Sequence, residues 1–472
     1  MKFKNKELDK LFIMGVNGDW HSRKDIILLA FCYAEIISKY SENYIIIDFD
    51  KDIHYFALIL SGAISNKIIC PSHSILNERV FDKHYNDVRK IDKNNFYREI
   101  SSCVALCNKN NFLKKNYLIK FNNSLKSDNP FLLVYSSGTT SGGTGILLSP
   151  KRMMNQSKDF ANLCEFNFNS FFTHMVPHNY MAGIFNLFFV PFFTGGKIHL
   201  INFNAKTFSY DLFIDYLKSG VNVLLASPAL LEIITRALIK NQEKFSLFKS
   251  VQVISTGSFL YPDLAQKIET LGFNLGVAYG VTELGGSISF VKKYSDTNPF
   301  DIGRFTNDTK IKKSHKGTLL ISSPNCCIGT IKQGKFYNPF DENYYFDSDD
   351  IVEIEGSQIS LIGRKSDIAN RFGIKISAQW IESNIRMLSG VSDCSVLFKD
   401  SKTLGVMIYA YIIPSNKDIL INKSTKNQLS MNIKIQLDLI LTDVEIPDRI
   451  EIISEIPKTE FGKKIKRLLN NV

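Results

Sequence analysis

Short, wholly apolar runs rich in β-branched residues recur from the N-terminus to about residue 360, each parted from the next by a stretch with helical spacing. The runs include YIIIDF from Tyr44, NKIIC from Asn66, FLLVY from Phe131, NVLLA from Asn222 and VQVIS from Val251. Between them, HYFALILSGAI from His54 and PDLAQKIETLG from Pro262 repeat their apolar residues at the interval of an amphipathic helix. A strand without a polar face must be covered on both sides, so the alternation predicts parallel sheets flanked by helices. After SLIGRKSD (Ser360 to Asp367) the texture changes to DCSVLF, VMIYAYII, a helical LSMNIKIQLDLIL from Leu429, and DRIEII. The chain is 472 residues long, beyond the size at which one core keeps growing. The expected fold class is therefore α/β. A large N-terminal domain of sheets flanked by helices (1–362) precedes a small α+β C-terminal domain (363–472).

The longest apolar candidates, Ile26–Ile37 and Ala182–Phe193, are short and broken by Tyr, Glu, Asn or Pro, which predicts no stable membrane insertion. The basic stretch MKFKNKELDK has no apolar core behind it, so no signal peptide is expected. Of eight cysteines, Cys103 and Cys107 lie one helical turn apart and Cys326 and Cys327 are adjacent, with no matching second pair at zinc-ligand spacing. All eight read as reduced thiols of a cytoplasmic protein, most of them buried. The net charge of +11 fits an anionic partner such as a nucleotide, a coenzyme or an acidic protein. A joint bias toward Lys, Asn and Ile would give the same excess without any binding site. No basic block interleaved with aromatics points to nucleic acid.

The strand FLLVY runs directly into SSGTTSGGTG, Ser136 to Gly145. Glycines let backbone N–H groups converge on an anion and hydroxyls add donors without bulk, a composition suited to a polyphosphate. No Lys stands where the Gly-Lys-Ser/Thr nucleotide loop would need it. A flexible Ser/Gly turn is the plainer alternative. Four more stretches bear on the choice. AYGVTELGG (Ala278 to Gly286) sets an aromatic before a glycine turn, then Thr282 and Glu283; a Tyr face can stack on a purine, and a carboxylate beside phosphates can hold Mg²⁺. YYFDSDDIVEIEG places Asp349 and Asp350 at the end of a predicted strand, where a carboxylate could accept two ribose hydroxyls. IGRKSDIANRFGIKIS carries Arg364 at the change of texture, and PKTEFGKKIKR places Lys463 after a glycine on a predicted mobile loop. Taken singly these are a β-turn, an acidic loop, a linker and a basic tail. Their order is the informative feature.

In that order the stretches resemble the adenylate-forming superfamily of acyl- and aryl-CoA synthetases, adenylation domains and luciferases, from about Ile26 onward. The resemblance implies that Ser136, Ser137, Gly138, Thr139 and Thr140 cradle the β- and γ-phosphates of ATP. It places Tyr279 and Gly280 at the adenine, with Gly257 and Ser258 of STGSF along its edge. Thr282 would contact the α-phosphate and Glu283 would ligate Mg²⁺. Asp350, or Asp349 in its stead, would bind the ribose hydroxyls, assisted by Arg364. Lys463 would bridge the substrate carboxylate and the α-phosphate, stabilising charge where two anions must meet. A carboxylate attacks the α-phosphate to give an acyl-adenylate and pyrophosphate, and a nucleophile then takes the acyl group. The C-terminal domain would turn between the steps about Ser366, withdrawing Lys463 and presenting Gly373 and Lys375 to a thiol.

The chain departs from the family pattern at three places. Gly143, Thr144 and Gly145 stand where the loop usually reads Pro-Lys-Gly, so the loop lysine is missing, replaced by Lys151 or by nothing. Ser348-Asp349-Asp350 replaces Thr-Gly-Asp, and the hinge is Ser366 rather than Asp or Lys. The acid pocket is expected around VPHNYMAGIFN, with His178, Asn179, Tyr180 and Gly183, and around Gly257 and Gly280. No Asp stands between Phe171 and Asn186 to pair with an ammonium, which disfavours amino acids. His178, Asn179 and Tyr180 resemble the His-Asn-Tyr of enzymes activating hydroxylated benzoic acids, although the spacing to the preceding Pro differs. Acyl and aryl acids both remain open. The expected acceptor is the thiol of phosphopantetheine, on CoA or on an acidic acyl carrier protein. An amine acceptor, a degenerate nucleotide binder and a structural partner protein are the alternatives.

Overall fold

The computed structural model describes residues 8–15, 18–72, 87–91, 96, 116–135, 144–175, 178–201, 208–241, 248–296, 298–401, 405–458 and 464–471. Strands form at the apolar runs: Tyr44–Ile47, Ile68–Pro71, Leu132–Tyr135, Val223–Ala226 and Gln252–Thr256 are almost wholly buried. The helix Ile53–Ser65 is capped by the Asp52 side chain, which accepts the Tyr55 N–H, and ends at Asn66 in the left-handed region with φ 58°.

Among the described residues two large sheets dominate. One has nine strands, in the order Arg304–Phe305, Gly286–Val291, Asn274–Val281, Gln252–Thr256, Val223–Ala226, Phe171–His174, Lys197–His199, Leu11–Met14, Trp20–Ser22. The other has seven, running Lys335–Tyr337, Gly329–Lys332, Gly145–Leu148, Leu132–Tyr135, Ile68–Pro71, Tyr44–Ile47, Val88–Ile91. The centre of each is parallel, but antiparallel strands finish both, so the sheets are mixed rather than parallel throughout. A phenylalanine-rich core joins them, with Phe56 stacked on Phe188 at 4.5 Å and Phe12 edge-on to Phe192.

The strand–helix alternation stops near Val281 rather than at residue 360. From Gly286 to Arg364 the chain turns back on itself in antiparallel strands, including a sheet ordered Lys310–Lys313, Thr318–Ser322, Phe346–Glu355, Gln358–Arg364. The reason is local: tight turns such as Gln333-Gly334, with φ 50° and 74°, leave no room for a crossover helix.

The C-terminal domain has its own core, built on the helix Ala378–Arg386, the strands Val391–Ser401, Gly405–Pro414 and Arg449–Ile452, and the helix Lys423–Leu437. That last helix begins six residues before Leu429, because Asn422 caps it by accepting the Thr425 N–H, and it ends at Leu437. The six described cysteines are free and buried; Cys103 and Cys107 lie outside the described residues. No helix among the described residues is long and apolar enough to cross a membrane.

Candidate active site

The strands Gln252–Thr256 and Asn274–Val281 run parallel with Thr256 opposite Ala278, so Gly257 leaves the first strand at the sheet's carboxyl edge, at the level of Tyr279, which is still paired with Ser289 of the next strand. Ligands of open α/β sheets bind at such edges. Gly257 has φ 88° and open space where a Cβ would stand, and Ser258 beside it is exposed. After Tyr279 comes a β-bulge. A Cβ on Gly280 would stand 2.2 Å from the Gly286 carbonyl oxygen, so the closeness of the next strand demands glycine there.

The bulge leads into a single 3₁₀ turn, Thr282–Leu284, closed by Gly285 at φ 81°. Glu283 is half-buried on this turn and makes no ion pair with a described residue. Burial pushes its carboxyl above the ordinary range, while the charges of Arg364 and Lys332 pull the other way.

Asp350 and Arg364 face each other across neighbouring antiparallel strands. Arg364 Nε donates to Asp350 Oδ1 at 2.8 Å and the Tyr279 hydroxyl donates to Oδ2 at 2.6 Å. Ser348 completes the arrangement: its Oγ accepts the Asp350 N–H at 3.2 Å, and its carbonyl accepts Arg364 Nη1 at 3.0 Å. Burial raises the Asp350 carboxyl against the pull of Arg364, and it holds the Tyr279 hydroxyl protonated well above its usual range. Asp349 turns outward at φ 57°, with Lys365 at 3.8 Å, so Asp350 is the acid that faces Tyr279. Both acids lie in the middle of the strand Phe346–Glu355, not at its end as expected.

The acid-pocket candidates stand on a different element. His178 Nε2 lies 2.9 Å from the Phe49 carbonyl and its ring packs edge-on to Tyr55 at 4.6 Å. Asn179 donates to the Ser72 carbonyl at 2.7 Å, and the Tyr180 carbonyl accepts the Ile184 N–H at 2.9 Å. Gly183 opens a π-helix, Gly183–Phe189, a form found mostly as short insertions at functional sites. Phe185 and Asn186 carry this helix to the Glu283 turn. A Cβ on Gly286 would meet the Phe185 ring at 2.6 Å, and Ser287 Oγ donates to Asn186 Oδ1 at 3.3 Å. Both residues close the stretch VPHNYMAGIFN expected at the acid pocket, and the doubled Gly285-Gly286 was the signal that something presses close to the Glu283 turn.

Ser136, Ser137, Gly138, Thr139, Thr140 and Lys463 lie outside the described residues. The strands flanking that first loop pair directly, with Tyr135 opposite Gly145. On either side of residues 459–463, Lys458 and Lys464 pair across an antiparallel bridge, and Asp393 accepts from both at 2.8 and 2.9 Å. Arg386 also donates to Asp393 at 2.8 Å, and it reaches into the N-terminal domain to Asp263 at 2.8 Å and Glu232 at 3.1 Å. Ser366 sits exposed in the turn Lys365–Asp367. Gly373 occupies a two-residue hairpin turn with Phe372, and Lys375 donates to the Lys316 carbonyl at 3.5 Å. No described contact joins Gly373 or Lys375 to Tyr279 or Asp350.

A sheet edge cleared by glycine, a Tyr-Asp-Arg triad and a half-buried carboxylate meet on a mixed α/β fold, and known proteins of similar sequence and fold show the family. The family profile described as AMP-binding enzyme matches residues 72–325, more than half of the chain. The chain belongs to this family, within the adenylate-forming superfamily. It is similar to the malonate–CoA ligase of Arabidopsis thaliana, 23% identical over 378 residues that cover 72% of this chain and 60% of that one. It is also similar to the naringenin synthase of Pestalotiopsis fici, 24% identical over 360 residues that cover 73% of this chain and 13% of that one. The chain thus spans less than two thirds of these relatives' length. Among solved structures, ATP-bound MatB of Rhodopseudomonas palustris matches with a TM-score of 0.81 at 17% identity, over 99% of this chain and 96% of that one.

Proposed function

We propose that the chain is an AMP-forming acid–thiol ligase, with an ATP- and acid-binding domain at 1–362 and a mobile domain at 363–472. The observation that carries this reading is the Asp350 carboxylate, buried and held by Tyr279 and Arg364 beside the Glu283 turn. A carboxylate offers about four acceptor sites, so two remain for a vicinal diol such as a ribose. Tyr279 and Gly280 would then sit at the adenine with Gly257 and Ser258. The loop from Ser136 to Thr140 would hold the β- and γ-phosphates, and Thr282 the α-phosphate. An acyl or aryl acid would enter past Gly183, with Asn179 and Tyr180 shaping the wall and His178 packed behind it against Phe49 and Tyr55.

Glu283 fits a Mg²⁺ ion as its single protein carboxylate, since this ion commonly takes one or two carboxylates and fills its remaining positions with phosphate oxygens and water. When bound, the ion would neutralise charge on the triphosphate. In the first step the acid's carboxylate oxygen attacks the α-phosphorus, pyrophosphate leaves, and Lys463 offsets charge between the two anions. In the second, the domain turns about Ser366, and Gly373 and Lys375 meet the phosphopantetheine of CoA or of an acidic carrier protein. The thiol sulfur then forms a bond to the acyl carbon, AMP departs with the C–O bond electrons, and the thiol proton is released.

ATP–pyrophosphate exchange across short acyl, hydroxyacyl, long acyl, aryl and amino acids tests the reading, with Lys463→Ala as control. Exchange with one acid class, abolished by the substitution, is the expected result. Nucleotide binding without exchange on any acid would favour a degenerate binder instead.

A further inference from the structure

Thr144 stands where a loop lysine is missing, and the expected substitute, Lys151, is already engaged. Its ammonium donates to Asp128 at 2.7 Å, and Arg152 holds the same carboxylate at 3.3 Å. A second cation approaches from the adjacent strand. Gly329–Lys332 runs antiparallel to Gly145–Leu148, with Gly329 opposite Leu147, Thr330 opposite Ile146 and Ile331 opposite Gly145. Carried one step further, this register brings Lys332 to the level of Thr144, the residue just before the strand. Residues directly opposed in an antiparallel pair share a face, with Cβ atoms about 4.5–5.5 Å apart.

The other end of the same strand grows out of the Glu283 turn. The Cys327 N–H donates to the Glu283 carbonyl at 2.8 Å, and the Ile328 N–H to the Leu147 carbonyl at 2.8 Å. Lys332 is exposed where the strand enters the Gln333-Gly334 turn. It makes no ion pair with a described residue. Lys332 therefore stands at the loop end of this strand, at the seat of the missing lysine, while the other end of the strand is tied to the Glu283 turn.

We propose that Lys332 supplies, from the neighbouring strand, the cation that the loop lacks, and that its ammonium contacts the β- and γ-phosphates of ATP and then the departing pyrophosphate. The assignment rests on the ligase reading above. A lysine is a compact charge on a flexible four-carbon stem, so the ammonium can reach one spot from either of two neighbouring backbones. Charge placed at the leaving group favours departure of pyrophosphate.

Calorimetric titration of the full chain with ATP, inorganic pyrophosphate and AMP, in the presence of Mg²⁺, tests this. Lys332→Ala should weaken ATP and pyrophosphate about tenfold, the scale of one charge-assisted contact, and leave AMP unchanged. Lys332→Arg should retain most of the affinity, and Lys151→Ala should match the parent. Thr144→Lys introduced into Lys332→Ala should restore ATP and pyrophosphate binding, because the register puts both side chains at one place. Unaltered ATP affinity in Lys332→Ala, or equal loss of ATP and AMP, overturns the assignment while the ligase reading stands. A parent chain that binds no nucleotide overturns both.

Discussion

Tyr279 and Asp350, 71 residues apart in the sequence, are joined by a hydrogen bond of 2.6 Å, and the second oxygen of the same carboxylate is held by Arg364 at 2.8 Å. The three side chains come from two different sheets, so the bond also sets the antiparallel sheet against the carboxyl edge of the nine-stranded one. Asp350→Asn removes the charge and turns an N–H₂ toward one donor. ATP and AMP affinities are expected to fall together by about tenfold, with 2′-deoxy-ATP losing less, measured by calorimetry. Tyr279→Phe should cost about 1 kcal/mol of stability from the lost hydrogen bond.

With Glu283 in its proposed place as the Mg²⁺ ligand, burial sets the direction in which binding depends on pH. Its carboxyl is raised above 4.5 by burial, so protons compete for it at a pH where an exposed glutamate is still ionised. Mg²⁺-dependent ATP binding should therefore weaken on the acid side while the pH is still above 4.5. Stability runs the other way. A group with a raised folded pKa contributes fully below its unfolded value and loses that contribution as the pH rises through the folded one. Glu283→Gln should flatten both dependences, read by ATP titration and by denaturant melts at matched pH.

The secondary elements were legible wherever packing forces a periodicity. The strand from Tyr44 and the helix from His54 announce themselves because burial on two faces or on one writes directly into residue type. The antiparallel region after Gly286 was not legible as such, since several of its strands are only partly buried and their pairing is set by turns and bulges rather than by the apolar pattern. At the site, Tyr279, Asp350 and Arg364 could be named one at a time, because each sits in a recognisable stretch. That Asp350 rather than Asp349 faces Tyr279 depends on the left-handed backbone at Asp349 and on the register that sets Asp350 opposite Arg364, neither of which the residue pattern announces. Lys332 was invisible for a related reason: its place at the level of Thr144 exists only in the register of two strands nearly 190 residues apart.

His178 is engaged on both sides, by the Phe49 carbonyl at Nε2 and by the Tyr55 ring at 4.6 Å. Each contact contributes about 1 kcal/mol in comparable settings. His178→Ala is expected to destabilise the chain by roughly 1–3 kcal/mol. The ratios of kcat/KM across different acids should stay as they are. A change in acid preference without loss of stability would instead mark the ring as a direct substrate contact.

Arg386 is the hub between the domains. Its side chain is 6% exposed and meets three carboxylates, Asp263, Glu232 and Asp393, of which the first two belong to the N-terminal domain. Burial pushes the Asp393 carboxyl up, but Lys464, Lys458 and Arg386 outweigh it and hold the group well below the usual range. A carboxylate so depressed contributes stability that is present above 3.8 and lost as the pH falls toward its folded value. Removing one member of a buried ionic cluster strands the others and costs about 3–5 kcal/mol in comparable cases. Arg386→Gln should therefore lower the denaturation midpoint, move acid unfolding to higher pH, and speed proteolysis in the exposed turn at Lys365–Asp367. Adding Asp263→Asn should recover part of the loss, because it removes one of the stranded charges. If the single variant left both the acid limb and the proteolysis rate unchanged, the interdomain pairs would not be what holds the two domains in this arrangement.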